Sequence, residues 1–194
     1  MLKTIDKTSG QKSYILYPGE AHATGENCFL VSVTGTCLLV CLHETRMNIG
    51  GMCFMIVPGS FDGHSIIKDS AAYLGVTQIE MLMAEIVKLG GNRKNLKAKV
   101  FGGADNIFEH TENNLGEIQQ KFINDYFELE NIPIVSKSVG GGNRRKVYFS
   151  PSDGKAFVKS LENNSDSSEY LLMEQEFINN VIRNSDKTGD VMLF

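Results

Sequence analysis

The stretch SVTGTCLLVCLHETRMNIGGMCFMIVP, residues 32–58, most constrains the fold. Two apolar runs, TCLLVCLHE and NIGGMCFMIV, flank a bridge at residues 45–48, as the arms of an antiparallel hairpin would. FLVSV, LKAKVFGG, IPIVSKSV, RKVYFSP and KAFVKSL are also short, rich in β-branched or aromatic residues and bounded by Gly, Pro or Asn, so they read as strands. Between them, Ile79, Leu82, Met83, Ile86 and Leu89 recur at helical spacing before Gly90 and Gly91. Ile118, Phe122, Tyr126 and Leu129 repeat the pattern. A third amphipathic helix is expected at about 167–183, carrying Leu171, Leu172, Phe177, Ile178, Val181 and Ile182, with Asp166 and Glu169 as a capping pair. Clustered strands with a few interleaved helices predict an α+β fold, layered rather than strictly alternating. With 194 residues, 42% of them hydrophobic, the chain is expected to form one domain, 1–194, ending in that helix.

A formal net charge of −4 leaves no electrostatic footprint for nucleic acid, and the basic cluster NRRK at 143–146 reads as a local anion contact at most. The N-terminus lacks a continuous apolar core and a cleavage signature, and the longest apolar runs are interrupted, so neither secretion nor membrane insertion is expected. Cys28, Cys37, Cys41 and Cys53 form no C-x-x-C pair and have no matching His spacing. Cys28 and Cys41 read as reduced, buried thiols of a cytoplasmic protein with no metal and no cofactor, whereas a reactive Cys37 is expected at an accessible strand tip.

Cys37 follows the turn signal Thr34-Gly35-Thr36. If the hairpin pairs residues whose numbers sum to 91 or 92, Cys37 faces Phe54 or Met55, with Cβ atoms about 4.5–5.5 Å apart. A glycine just before a nucleophile lets backbone N–H groups point at a developing oxyanion, a role open to Gly35 and Thr36. The competing reading is a bulge beside a core cysteine.

Four motifs sharpen the choice. TGTCL at 34–38, GGMCFMIVP at 50–58, AKVFGGA at 98–104 and GGGNRRKVYF at 140–149 resemble, in order and spacing, the L-G-S-C-V, G-G-M-x-H-x-x-L-P, A-K-x-F-G-G-A and G-G-x-x-x-R-K-V-x-F motifs of the CheD family. YPGE at 17–20 and IPIVSKSVGG at 132–141 look like the same family's text. The resemblance implies a layered α/β sandwich similar to the catalytic domain of the cytotoxic necrotizing factor toxins. It implies hydrolysis of glutamine side chains to glutamate on chemoreceptor cytoplasmic domains, and binding to a CheC-type phosphatase. It places Cys37 as nucleophile and Ser32 or Val31 at the family's threonine, and it puts Phe54 where the family has histidine. Two functions stay open: a cysteine-dependent deamidase, or a catalytically silent binding module that keeps the receptor or phosphatase surface.

A substitute base would have to come from another histidine. His43 lies about 20 Å along the strand from Cys37 at roughly 3.3 Å per residue, which leaves His64 first, then His22, both in loop-like text. His110 lies in polar text beyond FGGADNIFE. Cys53 adjoins Phe54 and so should point away from Cys37. FGGA at 101–104 suits close backbone packing or a substrate's approach. GGGN at 140–143 suits a hairpin or strand-entry turn, or an anion nest, and without a G-K-[ST] ending it is no Walker loop.

Overall fold

The computed structural model describes residues 1–5, 10–56, 70–105, 115–161 and 168–185. In chain order the strands are β1 (Leu2–Ile5), β2 (Lys12–Ile15), β3 (Ala21–Thr24), β4 (Phe29–Thr34), β5 (Leu38–Glu44) and β6 (Ile49–Met55). Then come helix α1 (Ser70–Lys88), β7 (Leu96–Gly102), α2 (Leu115–Leu129), β8 (Ile134–Val139), β9 (Arg144–Phe149), β10 (Ala156–Leu161) and α3 (Ser168–Ser185). The strands form two five-stranded mixed sheets, ordered β1-β2-β4-β9-β10 and β3-β6-β5-β7-β8. Pairing is antiparallel except for the parallel pairs β2·β4 and β7·β8.

Side-chain alternation along the central strands builds two cores. Leu38, Val40 and Leu42 of β5, with Cys53 and Met55 of β6 and Ala98 and Val100 of β7, pack on α1 and α2 through Ile79, Leu82, Met83, Ile86, Phe122, Ile123 and Phe127. Leu39, Cys41, Met52, Phe54 and Phe101 face the other way and meet Tyr14, Leu30, Val147 and Phe149 of the first sheet. β5 and β6 are therefore covered on both faces, which is why their text is continuously apolar. The layers run helices, second sheet, first sheet: the expected α+β sandwich. Gly51 permits the α1 contact, since a Cβ there would lie 2.5 Å from Leu82 Cδ1 and 2.7 Å from the His22 carbonyl.

Several expectations need correcting. β1, β2 and β3 have four residues each, too few for a legible alternation, and His22 sits within β3 rather than in a loop. The hairpin turn places Glu44 opposite Ile49, so paired numbers sum to 93, and Phe54 faces Leu39, not Cys37. The bridge stands at 45–48 as expected, with Asn48 at φ 54°, and it sets this register by leaving Glu44 and Ile49 as the innermost pair. Leu89 and Leu129 are exposed, because each lies at or beyond the end of its helix, and α2 buries Gln119, Ile123 and Phe127 beside Phe122 and Tyr126. The GGGN run is a link from β8 in one sheet to β9 in the other, with Gly140 and Gly141 at φ 74° and 71°.

Candidate active site

The residues Gly35, Thr36 and Cys37 carry the chain from β4 in the first sheet to β5 in the second. Most hydrogen bonds of this crossing go to elements far along the chain. The Gly35 carbonyl accepts from Ala104 N–H at 2.8 Å, and the Cys37 carbonyl accepts from Gly103 N–H at 3.1 Å. Thr34 Oγ1 also donates to the Cys37 carbonyl at 2.6 Å, and Gln119 Nε2 of α2 donates to the Thr36 carbonyl at 2.8 Å. The FGGA run is thus a clamp on the cysteine loop. Its glycine is required: Gly102 has φ 109°, and a Cβ there would lie 2.1 Å from the Cys37 carbonyl oxygen.

With the three carbonyls of the crossing engaged, the N–H groups of Gly35 and Cys37 converge on a single carboxylate, that of Glu174 on α3. Cys37 N–H donates to Glu174 Oε1 at 2.8 Å, and Gly35 N–H donates to Oε2 at 3.0 Å and Oε1 at 3.1 Å. Thr34 Oγ1 lies 3.4 Å from the same Oε1. Glu174 is 2% exposed, and its pKa is raised by burial against the opposing pull of these donors. The two N–H groups that converge are thus those of Gly35 and Cys37. Thr36 contributes its carbonyl to Gln119.

The expectation of a thiol presented at an accessible strand tip is corrected. Cys37 is 0% exposed, because Glu174 and the apolar face of α3 close over it. Burial, and secondarily the Glu174 charge, push its pKa well above that of an ordinary thiol, so it rests as neutral SH.

Ser32 lies two residues before Thr34 on β4, is 1% exposed and donates through Oγ to the Leu16 carbonyl at 2.6 Å. Val31 is the neighbouring position, paired with Tyr148. Phe54 is fully buried in the inter-sheet core that also holds Cys37, whereas Cys53 belongs to the helix-side core, as the alternation requires. His22 packs on Tyr14, with ring centroids 5.3 Å apart. His43 is half-buried, and a Cβ added at Gly154 would lie 2.5 Å from its Nδ1. His64 and His110 lie outside the described residues. Among the described residues no three of His, Cys, Asp and Glu are grouped to hold a metal ion, and no helix is long and apolar enough to cross a membrane. At the GGGN run Arg145 is turned onto the loop's own carbonyls, Nη2 donating to Gly140 at 2.5 Å and Nη1 to Asn143 at 3.1 Å.

Sequence reading missed Thr34, Gln119 and Glu174. For Glu174 a signal was present, since it sits four residues from both Tyr170 and Ile178, a carboxylate on the apolar face of its helix. Gln119 gives a direct check on the loop's support. Gln119→Leu strands the Thr36 carbonyl and is expected to destabilise the fold by about 1–3 kcal/mol in chemical denaturation.

The CheD family model, described as CheD chemotactic sensory transduction, matches residues 57–160. A protein of Janthinobacterium sp. (strain Marseille) named "Probable chemoreceptor glutamine deamidase CheD" is 34% identical over 97% of this chain and 92% of its own length. A Shewanella oneidensis protein, "Probable chemoreceptor glutamine deamidase CheD 1", is 36% identical over 92% of this chain and 86% of its own. The crystal structure of the Bacillus licheniformis hypothetical protein YfiH is 14% identical, covers 61% of this chain and 49% of its own, and has a TM-score of 0.37, a likeness too loose to bear on function.

Proposed function

The chain belongs to the CheD family, and on that premise we propose that it hydrolyses glutamine side chains of chemoreceptor cytoplasmic domains to glutamate, with Cys37 as nucleophile. One observation carries the reading: the N–H groups of Gly35 and Cys37 converge on a carboxyl oxygen of Glu174 at 2.8–3.1 Å, at the backbone of the cysteine itself. A tetrahedral intermediate requires such donors at about 2.7–3.1 Å from its developing oxyanion.

The chemistry balances without a cofactor. Cys37 sulfur bonds to the carboxamide carbon while the carbonyl oxygen takes up charge between the two N–H groups, and each such donor is typically worth about 10²–10³-fold. Collapse breaks the C–N bond, and the nitrogen leaves as ammonia with the proton that the thiol gave up. Water then cleaves the thioester, restoring the thiol and leaving glutamate. Ser32 serves as the polar third member of the site, and Phe54 as its apolar wall. The family membership supports two finer statements, that the protein works in the cytoplasm and that a CheC-type phosphatase is a second partner.

The second reading, a silent binding module, is favoured by the sealed, neutral thiol. The two separate in one assay. Wild-type protein mixed with a receptor cytoplasmic fragment is expected to release ammonia above the protein-free background. Binding to the fragment with no ammonia released would leave the binding module as the function.

A further inference from the structure

α3 carries one side chain that its packing does not call for. Tyr170, Glu174, Phe177, Ile178 and Val181 share one face of the helix, at spacings of three and four residues. Tyr170 stacks on Tyr17 with ring centroids 5.8 Å apart, Phe177 meets Gly19, and Ile178 is buried with Phe177 and Val181 against the inter-sheet core. In the middle of this apolar seam stands a carboxylate at 2% exposure. A buried carboxylate is costly unless charge-assisted bonds compensate it, and an aliphatic residue would fill the seam without that demand. What compensates Glu174 is the pair of N–H groups at Gly35 and Cys37, with the Thr34 hydroxyl at 3.4 Å alongside.

A glutamate side chain on a helix, seated with its carboxylate in the cysteine loop, has the chemical form of the product that glutamine hydrolysis leaves. We propose that α3 is a built-in product mimic, in which Glu174 occupies the position of the reacting side chain and must withdraw before a substrate glutamine can reach Cys37. The inference rests on the deamidase reading and deepens it by adding regulation of the same site. It also specifies the incoming surface. A substrate helix that replaces α3 presents its glutamine with apolar or aromatic side chains four residues before it and three and four residues after it, as Tyr170, Phe177 and Ile178 stand relative to Glu174.

The test uses the full chain and reads Cys37 directly. Wild type, Glu174→Ala and Phe177→Ala are exposed to iodoacetamide, and alkylation of each cysteine-bearing peptide is followed by mass spectrometry, with Cys28, Cys41 and Cys53 as internal controls. Glu174→Ala is expected to raise the Cys37 rate by about tenfold or more with the controls unchanged, as an opened site requires. Phe177→Ala, which loosens the helix without touching the loop, is expected to raise it by about threefold or more, and it decides the matter if Glu174→Ala does not fold. Cys37 alkylation that stays at the wild-type rate in a folded variant overturns the proposal, as does a rise shared by all four cysteines, which reports general unfolding. Deamidation of receptor fragment by the same variants separates the two layers. An opened thiol with no glutamine conversion leaves the cover standing and removes the deamidase reading, whereas conversion with an unchanged thiol rate removes the cover alone.

Discussion

Cys37→Ala is expected to reduce ammonia release from receptor fragment by about 10⁴-fold or more, to the uncatalysed background, because the substitution removes the atom that forms the thioester. The fold should persist. Cys37 contributes a small side chain to a core shared with Leu39, Phe54 and Phe101, and losing its sulfur costs on the order of 1 kcal/mol. The pairing of a near-total activity loss with a small stability loss is what distinguishes a reacting thiol from a packed one. Thermal denaturation beside the ammonia assay measures both. A variant that keeps even a tenth of wild-type turnover would contradict the assignment of Cys37.

Gly102→Val is expected to abolish the site by a different route, through the backbone. The residue sits at φ 109°, where a β-branched side chain is strained by about 1–3 kcal/mol. Its Cβ would also lie 2.1 Å from the Cys37 carbonyl oxygen and 3.0 Å from Thr34 Cγ2, so β7 and the cysteine loop would have to separate, at about 1–3 kcal/mol more. Together these reach about 4 kcal/mol, a large part of a typical domain stability of about 5–15 kcal/mol. The expected result is little folded protein at 37 °C and loss of ammonia release, read by circular dichroism and the turnover assay. A variant that melts within a few degrees of wild type would show that the clamp is slack.

The central part of the fold was legible because it obeys simple periodicities. β5 and β6 are read from long, mostly apolar runs, and α1 from Ile79, Leu82, Met83 and Ile86, since burial on both faces of a strand or one face of a helix leaves that mark in the text. β1 to β3 were not legible, because four residues with mixed burial carry too few positions to show a period. At the site, the thiol and its glycine turn stand in one contiguous motif and could be read directly. Their partners lie far along the chain: Gln119 is 83 residues from Thr36, and Glu174 is 137 residues from Cys37. Which N–H groups converge depends on how β4 hands over to β5 across two sheets, and only the assembled layers decide that. The register of Cys37 was missed for a smaller reason, since a shift of one or two in the paired sum moves the residue off the end of the ladder.

The account stands or falls on a thiol that performs hydrolysis when Glu174 stands aside. Peptide-mapping mass spectrometry of a receptor cytoplasmic fragment, incubated in parallel with wild type, Glu174→Ala and Cys37→Ala, measures this most directly. The predicted result is glutamine-to-glutamate conversion at helix positions, fastest with Glu174→Ala, slower with wild type and absent with Cys37→Ala. Equal conversion by all three proteins, or none by any, would contradict it.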